Sequence, residues 1–132
     1  MRPFSFVSII NNTSTAGLGA EAGFGAYNAT KHGLISLTKT IAAEFGTDKI
    51  RCNAVSPGLI KTDMHLAATK RLARERNIPV EEMAAERYQA IALKRAAEPS
   101  EVANLIAFLA GPNASFVTGA AIPVSGGQSP GL

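Results

Sequence analysis

The sequence predicts an α/β fold in which helices cover a parallel β-sheet. Three observations support this fold class. Short segments rich in β-branched and aromatic residues recur along the 132-residue chain, longer segments with apolar residues at helical spacing separate them, and Gly- or Pro-containing turns lie at the boundaries. Alternating strands and helices are typical of parallel sheets with right-handed crossovers. The length suits one domain, which we expect to span residues 1–132.

In the first half of the chain, two predicted strands flank one long helix. Residues 4–10 are apolar and β-branched, which predicts a buried strand, and residues 11–25 are rich in Gly, Ser, Thr and Asn, which predicts a loop. Over residues 26–45 the apolar positions follow a helical period, and a glycine ends the run. Residues 50–55 predict the second strand, which a Pro-Gly pair closes.

The second half begins with a charged, Ala-rich segment, residues 62–93. This pattern predicts one or two amphipathic helices, broken near Pro79. Pro99 suits the first turn of the next helix, because proline lacks the N–H that this turn leaves unpaired, and a Gly-Pro pair ends that helix. Residues 120–124 predict a last short strand.

Composition and charge exclude several protein classes. Hydrophobic residues make up 46% and charged residues 17%, which is typical of a globular domain rather than a disordered chain. The net charge is +3, and no aromatic residues interleave with the basic cluster, so we interpret it as an exposed helix face and expect no nucleic acid partner. This cluster consists of Lys70, Arg71, Arg74 and Arg76. The opening apolar stretch is too short for a signal sequence or a membrane span, so we expect no membrane partner and a cytoplasmic location.

The single cysteine, Cys52, cannot form an intrachain disulfide, which favours a reducing compartment. It lies in the second predicted strand, and we expect it to pack in the core rather than to act as a nucleophile. No metal site is predicted from the sequence.

Tyr27, Lys31 and Ser14 carry the functional prediction. Tyr27 and Lys31 are four residues apart on a predicted helix, so their side chains project from one face. A phenol, with an ordinary pKa of about 10, is a poor acid or base at neutral pH, and a neighbouring ammonium eases its proton transfer by favouring the phenolate. Ser14 follows the first predicted strand, at the sheet edge where open α/β folds bind ligands, and its hydroxyl could donate to a substrate oxygen.

These residues and their surroundings resemble the short-chain dehydrogenase/reductase family over nearly the whole chain. The motifs that carry the resemblance are, in chain order, Asn12-Thr13-Ser14, Tyr27-x-x-x-Lys31, Asn53-Ala54-Val55-Ser56-Pro57-Gly58, Thr62, Pro99-Ser100-Glu101-Val102-Ala103, Phe108-Leu109-Ala110, Thr118-Gly119 and Val124-Ser125-Gly126-Gly127. The resemblance implies part of a Rossmann-like doubly wound parallel sheet, namely its last three strands with flanking helices. The N-terminal strands and glycine-rich turn of such a fold are absent from this sequence.

The resemblance implies an oxidoreductase that uses NAD or NADP to transfer hydride between nicotinamide and a carbonyl or secondary alcohol. Tyr27 would be the general acid in reduction and the base in oxidation, and Lys31 would hold the nicotinamide ribose hydroxyls and assist the tyrosine. Ser14 would orient the substrate oxygen and stabilise charge that develops on it. The residues implied to bind the cofactor are Tyr27, Lys31, Pro57, Gly58, Ile60 through its backbone and Thr62 through its hydroxyl.

The same resemblance implies that residues 62–93 fold over the site as a substrate lid and that the protein forms a homo-oligomer, a dimer or a tetramer. The family's glycine-rich turn and the residue that selects NAD or NADP belong upstream of residue 1. An alternative function is therefore left open. The chain could be a non-catalytic remnant that acts only as a folding or oligomerisation partner, through the helix over residues 26–45.

Several of these residues also have structural roles that the sequence allows. Ser14 could cap a turn, and Thr62 could be the N-cap of the next helix. His32 is predicted to be a surface or packing residue, and His65 lies in the predicted lid. Residues 17–22 fit the dinucleotide fingerprint G-x-G-x-x-A, but the helix begins too late for its N-terminus to meet a pyrophosphate. We interpret these glycines as a source of loop flexibility.

Overall fold

The computed structural model describes residues 6–128, in which strands and helices alternate as predicted. The elements are β1 (Val7–Asn12), α1 (Gly25–Phe45), β2 (Ile50–Pro57), α2 (Asp63–Arg76), α3 (Val80–Tyr88), α4 (Pro99–Ala110) and β3 (Ala121–Val124). Short 3₁₀ turns follow β1, α1 and α4. The charged segment, for which one or two helices were predicted, forms two, and the break lies near Pro79 as predicted. The predicted start of α4 at its proline is confirmed.

The first strand lies further along the chain than the apolar pattern predicts. The prediction covered residues 4–10, whereas β1 ends at Asn12, and residues 4 and 5 lie outside the described part of the chain. Asn11 and Asn12 were predicted to belong to a loop. They remain in the strand because they pair in register with the neighbouring strand, and the Asn11 amide also donates to the hydroxyl of Thr38 on α1 at 2.9 Å. Tertiary hydrogen bonds thus override the loop preference of asparagine.

The sheet has β2 at its centre, with β1 on one side and β3 on the other, and both pairings are parallel. Residues 51–56 of β2 are all buried, as expected for a strand covered on both faces. Because all three strands run parallel, their carboxyl ends lie at one edge of the sheet. Ser14 follows β1, and Pro57 and Gly58 lie at the end of β2, so these predicted site residues are at the carboxyl edge.

Alternation along β2 divides the core between two helices. Cys52 is fully buried and faces α1, where the Asn11 amide bridges its Sγ and the Thr38 hydroxyl. Val55 points to the opposite face and packs with Val102 and Leu109 of α4. Cys52 is therefore a core residue, as predicted, and burial raises the pKa of its thiol although the Thr38 hydrogen bond opposes the shift.

The surface of α2 carries the basic cluster noted in the sequence, and all four side chains are exposed, which confirms the predicted solvent-facing role. Among the helices of residues 6–128, none combines the length and the apolar character needed to cross a bilayer. Within the same residues, no group of three or more His, Cys, Asp or Glu side chains could hold a metal ion.

Candidate functional site

The carboxyl edge of the sheet is fixed by Thr13, the residue after β1. Its backbone N–H and its hydroxyl both donate to the Val55 carbonyl, at 2.7 and 3.0 Å, and its Oγ1 lies 2.8 Å from the Ser56 hydroxyl. These bonds are buried and hold the end of β1 against the end of β2. The predictions from sequence included Thr13 in the motif Asn12-Thr13-Ser14 but assigned it no role, because its contacts with Val55 and Ser56 depend on how two strands pair.

Ser14 comes next and begins the 3₁₀ turn Thr15–Gly17. Its Oγ accepts the backbone N–H of Ala16 at 3.1 Å, so the capping role allowed by the sequence is present. A hydroxyl carries one donor hydrogen as well as two acceptor lone pairs. The cap uses a lone pair and orients Oγ, which leaves the hydrogen available for donation to a ligand oxygen.

This turn packs directly against α1. A Cβ atom added to Gly17 would lie 2.8 Å from both the backbone oxygen of Lys31 and Cδ1 of Ile35. Any larger residue here would push the turn and the helix apart. The interpretation of residues 17–22 as flexible is therefore wrong for Gly17, whose role is close packing of the Ser14 turn against the part of α1 that carries Lys31.

Tyr27 and Lys31 lie on the first two turns of α1. The Lys31 ammonium lies 5.5 Å from the centroid of the Tyr27 ring, within the range of a cation–π contact. The tyrosine is 46% exposed. Within residues 6–128, neither the Tyr27 hydroxyl nor the Lys31 ammonium has a hydrogen-bond or ion-pair partner, so both are available to a ligand.

Asn28, the residue after Tyr27, anchors this end of the helix. It is buried, and its amide donates to the Glu21 carbonyl at 3.1 Å. His32 is exposed, as predicted, and its Nδ1 lies 2.8 Å from the Asn28 carbonyl.

The segment after β2 carries the other predicted cofactor-binding residues. Gly58, which follows Pro57, donates to the Val124 carbonyl at 3.0 Å, and a Cβ atom there would lie 3.1 Å from Cβ of Ser125. Ile60 forms an isolated parallel bridge with Ala97. The two bonds of this bridge are made by its neighbours, since the Lys61 N–H donates to the Ala97 carbonyl at 2.8 Å and the Ala97 N–H donates to the Leu59 carbonyl at 3.0 Å. The N–H and C=O of Ile60 therefore point away from Ala97.

Thr62 is the N-cap of α2, and its Oγ1 accepts the N–H of His65 at 3.2 Å. As with Ser14, this cap uses a lone pair and leaves the hydroxyl hydrogen free. The capping role allowed by the sequence is therefore present and does not prevent the hydroxyl from binding a ligand.

Beyond Thr62, helices α2 and α3 line a solvent-open cavity of about 360 Å³. The rings of His65 and Tyr88 are stacked beside it, with centroids 6.1 Å apart and Nε2 of the histidine 3.3 Å from the tyrosine hydroxyl. Arg87 donates to the Thr69 hydroxyl at 2.5 Å and ties the two helices together. The predictions from sequence did not include Tyr88, because a pair 23 positions apart on two helices follows no spacing rule.

The environment of His65 makes stability depend on pH. Burial, and secondarily the charge of Arg87, lower the pKa of His65 from its ordinary value. Below a pH of about 6.5 the unfolded chain takes up this proton before the folded protein does, so acidification favours unfolding. Above that pH the histidine is neutral in both states and contributes no pH dependence.

We therefore expect the urea concentration at the midpoint of unfolding to be lower at pH 5.5 than at pH 7.5. His65→Phe should reduce this difference. Glu101 does not contribute to this difference. Its bonds with Arg95 and with the Glu98 N–H lower its pKa from 4.5 to about 2, and both values lie below the pH range compared. An equal fall in wild type and His65→Phe would contradict the assignment.

Comparison with known proteins identifies the family. The family model described as enoyl-(acyl carrier protein) reductase matches residues 3–129. Meso-2,3-butanediol dehydrogenase of Serratia marcescens is 42% identical over 121 residues, which are 92% of this chain and 44% of that protein. Acetoacetyl-CoA reductase of Shinella zoogloeoides is 37% identical over 128 residues, 97% of this chain and 49% of that protein. The chain thus spans less than half the length of these two relatives.

Solved structures of the same kind of protein superpose closely on this chain. A short-chain dehydrogenase family protein from Francisella tularensis superposes with a TM-score of 0.88 at 31% identity, over 92% of this chain and 50% of that one. An actinorhodin polyketide ketoreductase with NADPH gives 0.86 at 32%, over 94% and 48%, and an NAD⁺-bound xylitol dehydrogenase gives 0.80 at 28%, over 91% and 48%. These superpositions confirm the predicted fold class, part of a Rossmann-type sheet. The chain belongs to the short-chain dehydrogenase/reductase family.

Proposed function

We propose that the protein is an oxidoreductase that transfers hydride between a nicotinamide dinucleotide and a small carbonyl compound or secondary alcohol, with Tyr27 as the proton donor or acceptor. The observation that supports this most directly is the pairing of an exposed phenol with an ammonium one helical turn away, 5.5 Å from the ring centroid. Family membership supports the same reaction, since the relatives named above are dehydrogenases and reductases.

In the proposed reaction, Tyr27 donates a proton to the substrate oxygen during reduction and accepts it during oxidation. Lys31 acts by its positive charge, which stabilises the phenolate that remains after donation. Because the negative charge of the phenolate develops only as the proton moves, its stabilisation favours the transition state over the ground state. The partially exposed position of the phenol allows a substrate to reach it from solvent.

Ser14 completes the proposed arrangement. Its Oγ is oriented by the Ala16 N–H, and its turn packs against α1 through Gly17. A donor held in this way can stabilise negative charge on the substrate oxygen without reorganising during the reaction. Thr13, the preceding residue, fixes the end of β1 by its bonds to Val55 and Ser56 and thereby positions Ser14.

The described residues fit a nicotinamide cofactor by their donor set. Lys31 has no acidic partner among residues 6–128, which suits an ammonium that binds ribose hydroxyls, and Ile60 offers a free backbone N–H and C=O beside Pro57 and Gly58. Thr62 has a free hydroxyl hydrogen. The cofactor, when bound, supplies the hydride, and the protein positions it. Both dinucleotides occur in the similar structures, NADPH in one and NAD⁺ in another.

Lys31→Ala should weaken cofactor binding and turnover together, because the proposed role of the ammonium covers both. We expect the Kd of the cofactor to rise by about tenfold and kcat to fall by about 10²-fold or more, measured by nucleotide fluorescence titration and by steady-state kinetics. Lys39→Ala, on an exposed position of the same helix, is the control and should change neither. Loss of kcat with an unchanged cofactor Kd would remove the cofactor-binding role.

One observation favours the alternative function as an oligomerisation partner. Two large apolar side chains on α1, Leu37 and Phe45, are 51% and 41% exposed and could be covered by another chain. Homo-oligomerisation is compatible with both proposals. Turnover of any carbonyl compound or alcohol that depends on Tyr27 decides for the enzyme.

A further inference from the structure

The proposed reaction requires Ser14 and Tyr27 to reach the same substrate oxygen, yet a loop separates them in the chain. This loop, residues 18–24, contains no helix or strand and is mostly exposed. The turn before it is held in place because Gly17 packs against Lys31 of α1. The relative position of the two hydroxyl groups therefore also depends on what holds the loop to the helix.

Asn28, the first buried residue of α1, makes that connection. The residue is 8% exposed, and its side-chain amide donates to the Glu21 carbonyl at 3.1 Å. Within residues 6–128, no other side chain forms a hydrogen bond with residues 18–23. Since Asn28 directly follows Tyr27, one hydrogen bond fixes the loop to the helical turn that carries the phenol.

Stability alone does not account for an asparagine at this position. The Oδ1 atom of Asn28 is buried and has no hydrogen-bond donor within the described part of the chain. A buried acceptor without a donor costs at least as much free energy as one neutral hydrogen bond contributes. Glu21 is exposed, and its carbonyl also accepts the Phe24 N–H at 3.2 Å, a bond that remains when the amide is removed. The net contribution of Asn28 to stability is therefore small, and what its bond provides is a fixed geometry.

We propose that Asn28 is a positioning residue for proton transfer. By fixing the loop to the first turn of α1, it holds the Tyr27 hydroxyl opposite the Ser14 hydroxyl, at the separation that one substrate oxygen requires. This inference rests on the proposed function and concerns the same site. Asn28 itself touches neither substrate nor cofactor. A misplacement of about 1 Å between reacting groups can lower a rate by about 10²-fold, so one hydrogen bond that sets their separation is enough to matter.

Asn28→Leu, which is similar in size and cannot donate, tests this geometry. The substrate is whichever member of a panel of short ketones and diketones the wild-type protein reduces fastest. We expect kcat to fall by about tenfold or more. The Kd of the cofactor should stay within about twofold, because Lys31 and the free backbone groups of Ile60 remain. The urea midpoint of unfolding should be unchanged, because the net contribution of Asn28 to stability is small.

Thr40→Ala is the matched control on the same helix. It removes a hydrogen bond of the same length, 3.1 Å, from an exposed hydroxyl to the Ser36 carbonyl, and it should change none of these quantities. Asn28→Ala, which adds no atoms, repeats the measurement if leucine perturbs the fold.

A double-mutant cycle distinguishes positioning from a general structural role. If Asn28 acts through the phenol, Asn28→Leu should lower the residual kcat of Tyr27→Phe by less than about twofold, because the group that it positions is already absent. A structural role independent of the phenol would lower kcat by the same factor in both backgrounds. That result, or wild-type kcat in Asn28→Leu and Asn28→Ala, would overturn this inference and leave the proposed function intact. Ordinary turnover in Tyr27→Phe would instead refute the proposed function, and the inference with it.

Discussion

Replacing Tyr27 with Phe is expected to lower kcat by about 10³-fold, the usual contribution of a positioned acid–base group. Phenylalanine keeps the ring against the Lys31 ammonium, which lies 5.5 Å from the ring centroid, so the helix surface changes little. The Kd of the cofactor should stay within about twofold, because Lys31 and the free backbone groups of Ile60 remain and a single neutral hydrogen bond contributes little. Steady-state kinetics and nucleotide fluorescence titration measure the two quantities separately.

The outcome decides whether Tyr27 is the group that transfers the proton. A Tyr27→Phe protein with ordinary turnover would show that another group moves the proton and would leave the phenol without a role. Ser14→Ala provides a graded comparison, since it removes the oxygen-orienting hydroxyl but not the proton carrier, and the loss in kcat should be smaller. A fold check by circular dichroism ensures that both variants are compared in the native state.

The order of elements could be predicted from the sequence because local signals agreed with the fold. The helical spacing of apolar residues predicted α1. Pro99 predicted the start of α4, and Pro79 predicted the break between α2 and α3. The end of β1 could not be predicted in this way. Asn11 reads locally as a turn former, yet its amide bonds Thr38 and Cys52, which are 27 and 41 residues away.

The same distinction between local signals and tertiary packing applies to the candidate site. Tyr27 and Lys31 could be proposed from the sequence because one helix fixes their spacing, and Ser14 because it follows a strand. Tyr88 could not, since its contact with His65 depends on how two helices pack. Gly17 was misinterpreted for a related reason: a glycine in a loop suggests freedom, and only the approach of Lys31 shows that the missing side chain makes room for a helix.

Arg51 presents a different case, a buried charge in the central strand. It is 8% exposed, and its guanidinium donates to the carbonyls of Leu109, Gly111 and Val117 at 2.9, 3.2 and 3.2 Å. The first two carbonyls lie at the carboxyl end of α4, where a helix leaves its last carbonyls unpaired and carries a partial negative charge. Arg51 therefore acts as the cap of α4 and joins that helix to the sheet.

Arg51→Met should accordingly lower the free energy of unfolding by about 3 kcal/mol or more, since three carbonyls lose a charged donor in a buried setting. Arg51→Lys should recover only part of this loss, because one ammonium cannot reproduce the planar fork that reaches three acceptors. The control is Arg71→Met, at an arginine whose side chain is 71% exposed and 3.8 Å from Glu75, and it should change stability by less than about 0.5 kcal/mol. Urea unfolding of the protein measures all three variants.

If Arg51→Met and Arg71→Met lower the free energy of unfolding by the same amount, the end of α4 does not depend on the buried guanidinium. A large cost that Arg51→Lys fully restores would mean that the charge, and not the fork, holds α4 in place.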